Sequence, residues 1–294
     1  MKILLAESFD KALPEKLARF GQVTQDLADA ATADVVIVRS KIKVDRPFID
    51  QAPNLKLAIR GGVGMDNIDK PYAESKGIIV KNTPQASSIA VAELAFALII
   101  ALPNHLVAAH TSTAEGKWLK KELERTELYG KVLGIIGCGR IGQQLAKRAH
   151  AFGMMVHGYD PMPVDSIHIR MEKEMAGVLA MSDFISLHLP LNDSTRGVIN
   201  KDTIATMKDG VYIINSGRGK TIVEEDMVQA LKTGKVAGYA TDVFYQDPPT
   251  GSPLLTAPNV LLTPHLGAAS KENMLRIGYD IMQILDDFNQ GRLK

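Results

Sequence analysis

Short apolar runs alternate along the chain with stretches of helical spacing. Residues 3–6, 34–38, 55–59 and 78–80 are apolar almost throughout and read as buried strands. Leu13, Leu17 and Phe20 recur three and four apart between the first two, and residues 47–51 suggest a short helix. The alternation resumes further on. Residues 132–136, 155–159, 183–190, 210–215, 237–242 and 260–263 have strand length, while Leu145, Ala146, Ala149 and Phe152 have helical spacing closed by Gly153. A last helix is expected over residues 270–290, from Met274, Ile277, Ile281, Ile284, Leu285 and Phe288. Strands that are apolar on both faces, alternating with helices, imply parallel sheets covered on both sides. The pattern therefore predicts an α/β chain of two doubly wound domains. The last helix returns to the first domain, which becomes discontinuous, residues 1–98 with 266–294. Residues 99–265 make the second.

Between the two groups, residues 87–114 read as one long helix. From Val91 to Leu102 it is apolar apart from Glu93, so it must be buried on several sides, and Pro103 predicts a kink. A helix this apolar at a domain junction suits a dimer interface, with a core helix as the alternative. Residues 115–129 are polar and read as a connector.

The first strand of the second domain runs into Gly137-Cys-Gly139-Arg140-Ile141-Gly142, a helix follows at once, and the next strand ends in Asp160, with Pro161 and Pro163 stopping it. Strand, glycine turn, helix, strand and acid in this order form a dinucleotide-binding fingerprint. Gly137 permits the turn, Gly139 leaves room for a pyrophosphate, and Gly142 lets the helix pack on the sheet. The helix N-terminus offers N–H groups and partial positive charge to the phosphates. Asp160 is placed to accept ribose hydroxyls, and its charge disfavours a 2′-phosphate, which points to NAD.

Composition narrows the setting. A net charge of +1 leaves no electrostatic footprint for nucleic acid. The one cysteine, Cys138, cannot form an internal disulfide and reads as a small filler of the glycine turn. The N-terminus is a strand, too short for a signal peptide, and the most apolar run is too short to span a membrane. A cytoplasmic protein is expected, and no histidine spacing suggests a metal.

Ligands of such sheets lie beyond the carboxyl ends of the strands. In the second domain those ends supply His188, residues 215–219, Asp242 and His265. In the first they supply Arg39, Ser40 and the loop Arg60-Gly61-Gly62-Val63-Gly64, which reads as an anion-binding loop. Arg218 can grip a carboxylate or polarise a carbonyl. A histidine, a carboxylate such as Asp247 and an arginine beside a nicotinamide form a working set. His265 moves the hydroxyl proton, Asp247 orients it and Arg218 holds the substrate.

Five stretches, Arg60-Gly-Gly-Val-Gly-Met-Asp-Asn67, Asn82-Thr-Pro84 with Val91-Ala-Glu93, residues 133–160, Ile214-Asn-Ser-Gly-Arg-Gly219, and Asp242-Val-Phe244 through Thr263-Pro-His265-Leu-Gly267, make the chain resemble the D-isomer-specific 2-hydroxyacid dehydrogenases along essentially its whole length. Val38-Arg39-Ser40 and Lys117-Trp118 are similar to the phosphoglycerate dehydrogenase branch, in a short form without a regulatory domain. The resemblance implies a Rossmann-type cofactor domain and a flavodoxin-like substrate domain. It implies Arg218 as substrate arginine, His265 as acid/base and Asp247 as its carboxylate partner. Asp247 stands where the family normally has glutamate, one methylene longer, so its reach to His265 is in question. For NAD it implies Gly137, Gly139, Arg140, Ile141, Gly142, Asp160, His188, Pro190 and Asp242, the last at the nicotinamide amide. For the substrate it implies the backbone of Gly62, Val63 and Gly64 around the carboxylate. The strand ends add Ser40, and a phosphate on the substrate calls for cations, with Arg39 and Arg60 as candidates and Lys120 and Lys121 either reaching across a homodimer or lying on the solvated surface. The expected reaction is oxidation of 3-phospho-D-glycerate in serine biosynthesis. Reduction of glyoxylate, hydroxypyruvate or another 2-keto acid is the alternative, and an NAD-sensing, corepressor-like binding protein is the reading from another class.

Overall fold

The computed structural model describes residues 1–162 and 164–293. It divides into two units, Met1–Ser87 with Ala268–Lys294, and Ser88–Gly267. In the first, the elements are β1 (Lys2–Leu5), α1 (Leu13–Leu17), β2 (Gln22–Thr24), β3 (Val35–Val38), α2 (Arg46–Asp50), β4 (Leu57–Arg60), α3 (Lys70–Ser75) and β5 (Ile79–Asn82). The five strands are all parallel in the order β2-β1-β3-β4-β5, a flavodoxin-like order. All four residues of β3 are buried. Val35 and Ile37 face a cluster with Leu13, Leu17, Ile277, Ile281 and Leu285, while Val36 and Val38 face one with Ile49, Ala58 and Ala73. Burial of each such side chain is worth about 1.5–3 kcal/mol, so the unbroken apolar run secures the strand's place between two helical layers.

The second unit comprises α4 (Ser88–Ala101), α5 (Leu106–Ala114), β6 (Val132–Ile136), α6 (Arg140–Ala151), β7 (Met155–Tyr159), β8 (Arg170–Met171), α7 (Met175–Met181), β9 (Phe184–Leu187), α8 (Lys201–Ala205), β10 (Val211–Asn215), α9 (Glu224–Thr233), β11 (Val236–Thr241) and β12 (Val260–Leu262). Its seven parallel strands run β12-β11-β10-β9-β6-β7-β8. Strand order reverses at β6, and the carboxyl ends of β6 and β9 flank the crevice that this reversal opens. The chain closes with α10 (Lys271–Asn289), whose Ile277, Ile281 and Leu285 lie in the core of the first unit.

The structure departs from the sequence pattern in several places. The first division falls before Ser88, at the start of α4, and not within the helix at residue 98. The reason lies in the helix: Ala92, Ala95 and Ile99 pack with Leu133, Leu145 and Ile214 of the second unit, so the whole helix goes with that sheet. The expected kink at Pro103 is a break. α4 and α5 meet at 63°, and His105 takes a left-handed conformation between them. The short edge strands β2 and β8, and helices α3, α7, α8 and α9, were not expected from the sequence, although α9 buries Met227, Val228 and Leu231 at helical spacing. Pro163 lies outside the described residues. Among the described residues, no single helix is long and apolar enough to cross a membrane.

Candidate active site

The glycine turn is dictated by close contacts at two of its three glycines. Gly137 has φ +95°, and a Cβ there would lie 2.7 Å from the His188 carbonyl oxygen. A Cβ on Gly142 would lie 2.5 Å from the Gly137 carbonyl oxygen. At Gly139 a Cβ would meet nothing within 4 Å, so the space over the start of α6 is open. Gly139 is the N-cap of α6 and provides no side-chain cap. That leaves N–H groups at the helix start for an anion. Asp160 follows β7, and its carboxylate accepts the Cys138 N–H at 2.9 Å and the Met162 N–H at 2.9 Å. An open cradle, an uncapped helix start and a carboxylate at the next strand's end fit a dinucleotide. Burial pushes the Cys138 thiol up to about 12, with the Asp160 charge adding to it, so Cys138 stays a neutral filler.

Beside the turn, His188 donates its backbone N–H to the Ile136 carbonyl at 2.8 Å. Its ring lies between two hydroxyls, Ser186 Oγ at 2.9 Å from Nε2 and Ser216 Oγ at 3.3 Å from Nδ1. Burial lowers its pKa to about 4, so the imidazole is neutral and acts as one donor and one acceptor. Arg140 and Pro190 are exposed, and Ile141 is half-buried.

His265 and Asp247 are both about half exposed, and His265 Nδ1 lies 2.5 Å from Asp247 Oδ2. The shorter acid therefore reaches the ring directly. Nε2 remains for a reacting group. The backbone at His265 is left-handed, φ +55°, which a non-glycine residue adopts only when its surroundings hold it there. Asp242 does the holding. Its buried carboxylate accepts the Thr263 hydroxyl at 2.6 Å, the Leu266 N–H at 2.7 Å and the Gly267 N–H at 2.7 Å. Arg218, half-buried after β10, donates from Nη1 to the Gly217 carbonyl at 2.8 Å. Gly219 next to it must lack a side chain, because a Cβ would overlap the Phe244 carbonyl. The arginine turn and the acid loop are thus packed backbone against backbone.

In the first unit, Arg39 and Ser40 follow β3 and the 60–64 loop follows β4, at the carboxyl edge of that sheet. Both loops are held by side chains that sequence reasoning missed. The Glu7 carboxylate accepts the N–H groups of Arg39, Ser40, Lys41 and Ile42 at 2.8–3.3 Å. Asn67 Nδ2 donates to the carbonyls of Arg39 and Ile42. Asn82 Nδ2 donates to the Val63 carbonyl at 2.7 Å, and Gly62 has φ +146°. The Ser40 N–H is therefore committed to Glu7. Lys120 and Lys121 lie exposed in the connector between α5 and β6.

Residues 96–267 match the family model of the D-isomer specific 2-hydroxyacid dehydrogenase, NAD binding domain. The chain belongs to the D-isomer-specific 2-hydroxyacid dehydrogenases. This dehydrogenase is 46% identical over 259 residues to the hydroxypyruvate reductase of Thermotoga maritima, covering 85% of this chain and 83% of that one. It is 44% identical over 265 residues to the D-3-phosphoglycerate dehydrogenase of Methanocaldococcus jannaschii, covering 89% of this chain and 51% of that one. The chain spans about half the length of the phosphoglycerate dehydrogenases it matches. A solved D-lactate dehydrogenase from Aquifex aeolicus, complexed with NAD and lactic acid, superimposes with a TM-score of 0.88 at 27% identity, covering 99% of this chain and 96% of that one.

Within the dehydrogenase, sequence reasoning missed Ser186, Ser216, Thr263, Tyr245 and Glu7. Ser216, Thr263, Tyr245 and Glu7 act on partners more than twenty positions away, and Ser186 on a ring two positions away. Asp242 was expected at the cofactor. Its carboxylate also holds the His265 loop.

Proposed function

We propose that this NAD-dependent dehydrogenase interconverts 3-phospho-D-glycerate and 3-phosphohydroxypyruvate. The observation that carries the catalytic part is the 2.5 Å contact between His265 Nδ1 and Asp247, on the sheet edge that also bears Arg218 and the glycine turn. NAD, when bound, supplies the acceptor or donor of hydride at C2. His265 takes the C2 hydroxyl proton at Nε2 during oxidation and returns it during reduction. Asp247 holds the ring orientation and tautomer through Nδ1 and stabilises the imidazolium. Arg218 meets the substrate carboxylate and the developing carbonyl oxygen. Asp242 is proposed for the nicotinamide amide, and the backbone of Gly62, Val63 and Gly64 for the substrate carboxylate. Arg39 and Arg60 are proposed for the phosphate. The match to several phosphoglycerate dehydrogenases supports this substrate.

A second reading, reduction of hydroxypyruvate or glyoxylate, is favoured by the identity and coverage of the hydroxypyruvate reductase match. NADH consumption with 3-phosphohydroxypyruvate, hydroxypyruvate, glyoxylate and pyruvate separates the two. The phosphorylated substrate should have the highest kcat/KM. A higher value for hydroxypyruvate supports the second reading, and no turnover of any keto acid would support a binding protein. Asp247→Asn should cut kcat by roughly ten-fold or more, towards the ~10²–10⁴-fold that an acid–base group supplies.

We also infer a homodimer. Leu106 and Val107 on α5 and Trp118 in the connector are exposed apolar side chains that a second copy would cover. Sedimentation equilibrium should return twice the 31.9 kDa chain mass.

A further inference from the structure

An aspartate side chain is one carbon shorter than a glutamate, about 1.5 Å of reach, and a hydrogen bond does not survive such a gap. Asp247 nonetheless lies 2.5 Å from His265 Nδ1. The loop that carries it must sit closer to the histidine than a longer acid would require.

Residues 244–252 are tied down at both ends. Tyr245 Oη donates to the Ile222 carbonyl at 2.8 Å, and Ser252 Oγ donates to the Glu224 carboxylate at 2.8 Å. Both anchors are core residues, with Ile222 1% and Glu224 3% exposed. The overlap that a Cβ on Gly219 would make with Phe244 marks how closely the loop's start approaches the same segment. Between the anchors the loop closes on itself: Gln246 Nε2 donates to the Thr250 carbonyl, and the Thr250 and Ser252 N–H groups donate to the carbonyls of Pro248 and Pro249. Burial of its ring does not explain Tyr245, which is 39% exposed. Its directional feature is the hydroxyl on Ile222. Glu224 adds a second sign of a held position. Burial raises its pKa and the Glu225 charge adds to this, while the Ser252 hydroxyl and the Tyr245 backbone, both from the loop, act the other way.

We propose that Tyr245 is a positioning residue: its hydroxyl bond to Ile222, with Ser252 on Glu224, draws the 244–252 loop toward His265 so that the shorter Asp247 bonds the imidazole directly. The proposal rests on the reading of His265 and Asp247 as the catalytic pair. It ties an exposed tyrosine to the choice of aspartate two positions later.

The test compares the wild type with Tyr245→Phe, Asp247→Glu and the double variant. Phenylalanine keeps the ring and removes the bond. Two readouts are taken: kcat and KM for the best keto acid, and the downfield proton resonance of His265 Nδ1–H, assigned by its loss in Asp247→Asn. Tyr245→Phe should lower kcat about ten-fold, the scale of a sub-ångström misplacement of an acid–base pair, with KM for NADH unchanged and the resonance weakened. The double variant should regain most of kcat and the resonance, because the longer acid does not need the tether. An unchanged kcat and resonance in Tyr245→Phe overturns the proposal, as does a double variant no better than Tyr245→Phe. Asp247→Asn at wild-type kcat would overturn the catalytic reading of the pair instead. The resonance of Tyr245→Phe then decides by itself whether Tyr245 positions Asp247.

Discussion

His188 and His265 follow strands of the same sheet in different surroundings. His265 is about half exposed, with Nδ1 2.5 Å from the Asp247 carboxylate. His188 sits between two serine hydroxyls, and burial lowers its pKa from 6.5 to about 4. Below pH 6.5 the unfolded chain takes up a proton at this position that the folded chain refuses until about pH 4. The unfolded state then binds more protons, so folding stability falls with pH across that window and levels off below it. Denaturant titrations from pH 7 to 4 should show this loss, and His188→Gln should lack the share that belongs to the imidazole. Identical slopes for the two proteins would mean that His188 is not held neutral. The motif around His188 is legible in the sequence, but its charge state is not, since it depends on burial in the folded chain.

At the scale of elements, the β6–α6–β7 unit was readable in advance because each of its signals is local: a five-residue apolar strand, three glycines and an acid at the next strand's end. The structure adds that Asp160 also accepts the Cys138 N–H, so the acid supports the turn it faces. A carboxylate where a 2′-phosphate would sit should make kcat/KM for NADH exceed that for NADPH by ~100-fold or more, the scale of a like-charge contact of a few kcal/mol. Asp160→Ala should narrow that ratio and weaken NADH binding as well, because the turn loses an acceptor. Parallel kinetics with both cofactors measure the ratio. A gain for NADPH without any loss for NADH would remove the supporting role. The α4–α5 break was readable only as a kink, because Pro103 announces a disruption without stating its angle.

For the molecule as a whole, the substrate's charge and a second copy bear on the same two lysines. Lys120 and Lys121 lie on an exposed connector and follow α5, which carries the exposed Leu106 and Val107. If a partner subunit's lysines meet the phosphate, Lys120→Ala with Lys121→Ala should raise KM for 3-phosphohydroxypyruvate far more than KM for glyoxylate. Equal effects on both substrates would favour the hydroxypyruvate or glyoxylate reading and leave the lysines on the solvated surface.

The sequence alone determined the alternation of strands and helices and the glycine turn, and it singled out Arg218, Asp247 and His265 as candidates, since periodicity and short motifs are properties of neighbouring residues. Tertiary structure decided how these parts are held. Whether an aspartate could reach His265 depended on where residues 244–252 settle against Ile222 and Glu224. That Asp242 shapes the His265 loop depended on a bond across 25 positions, and that Glu7 fixes the Arg39 loop on one across 32. The neutrality of His188 depended on burial. Distances between segments remote in the chain, and the loss of water around a buried group, exist only once the sheets have formed.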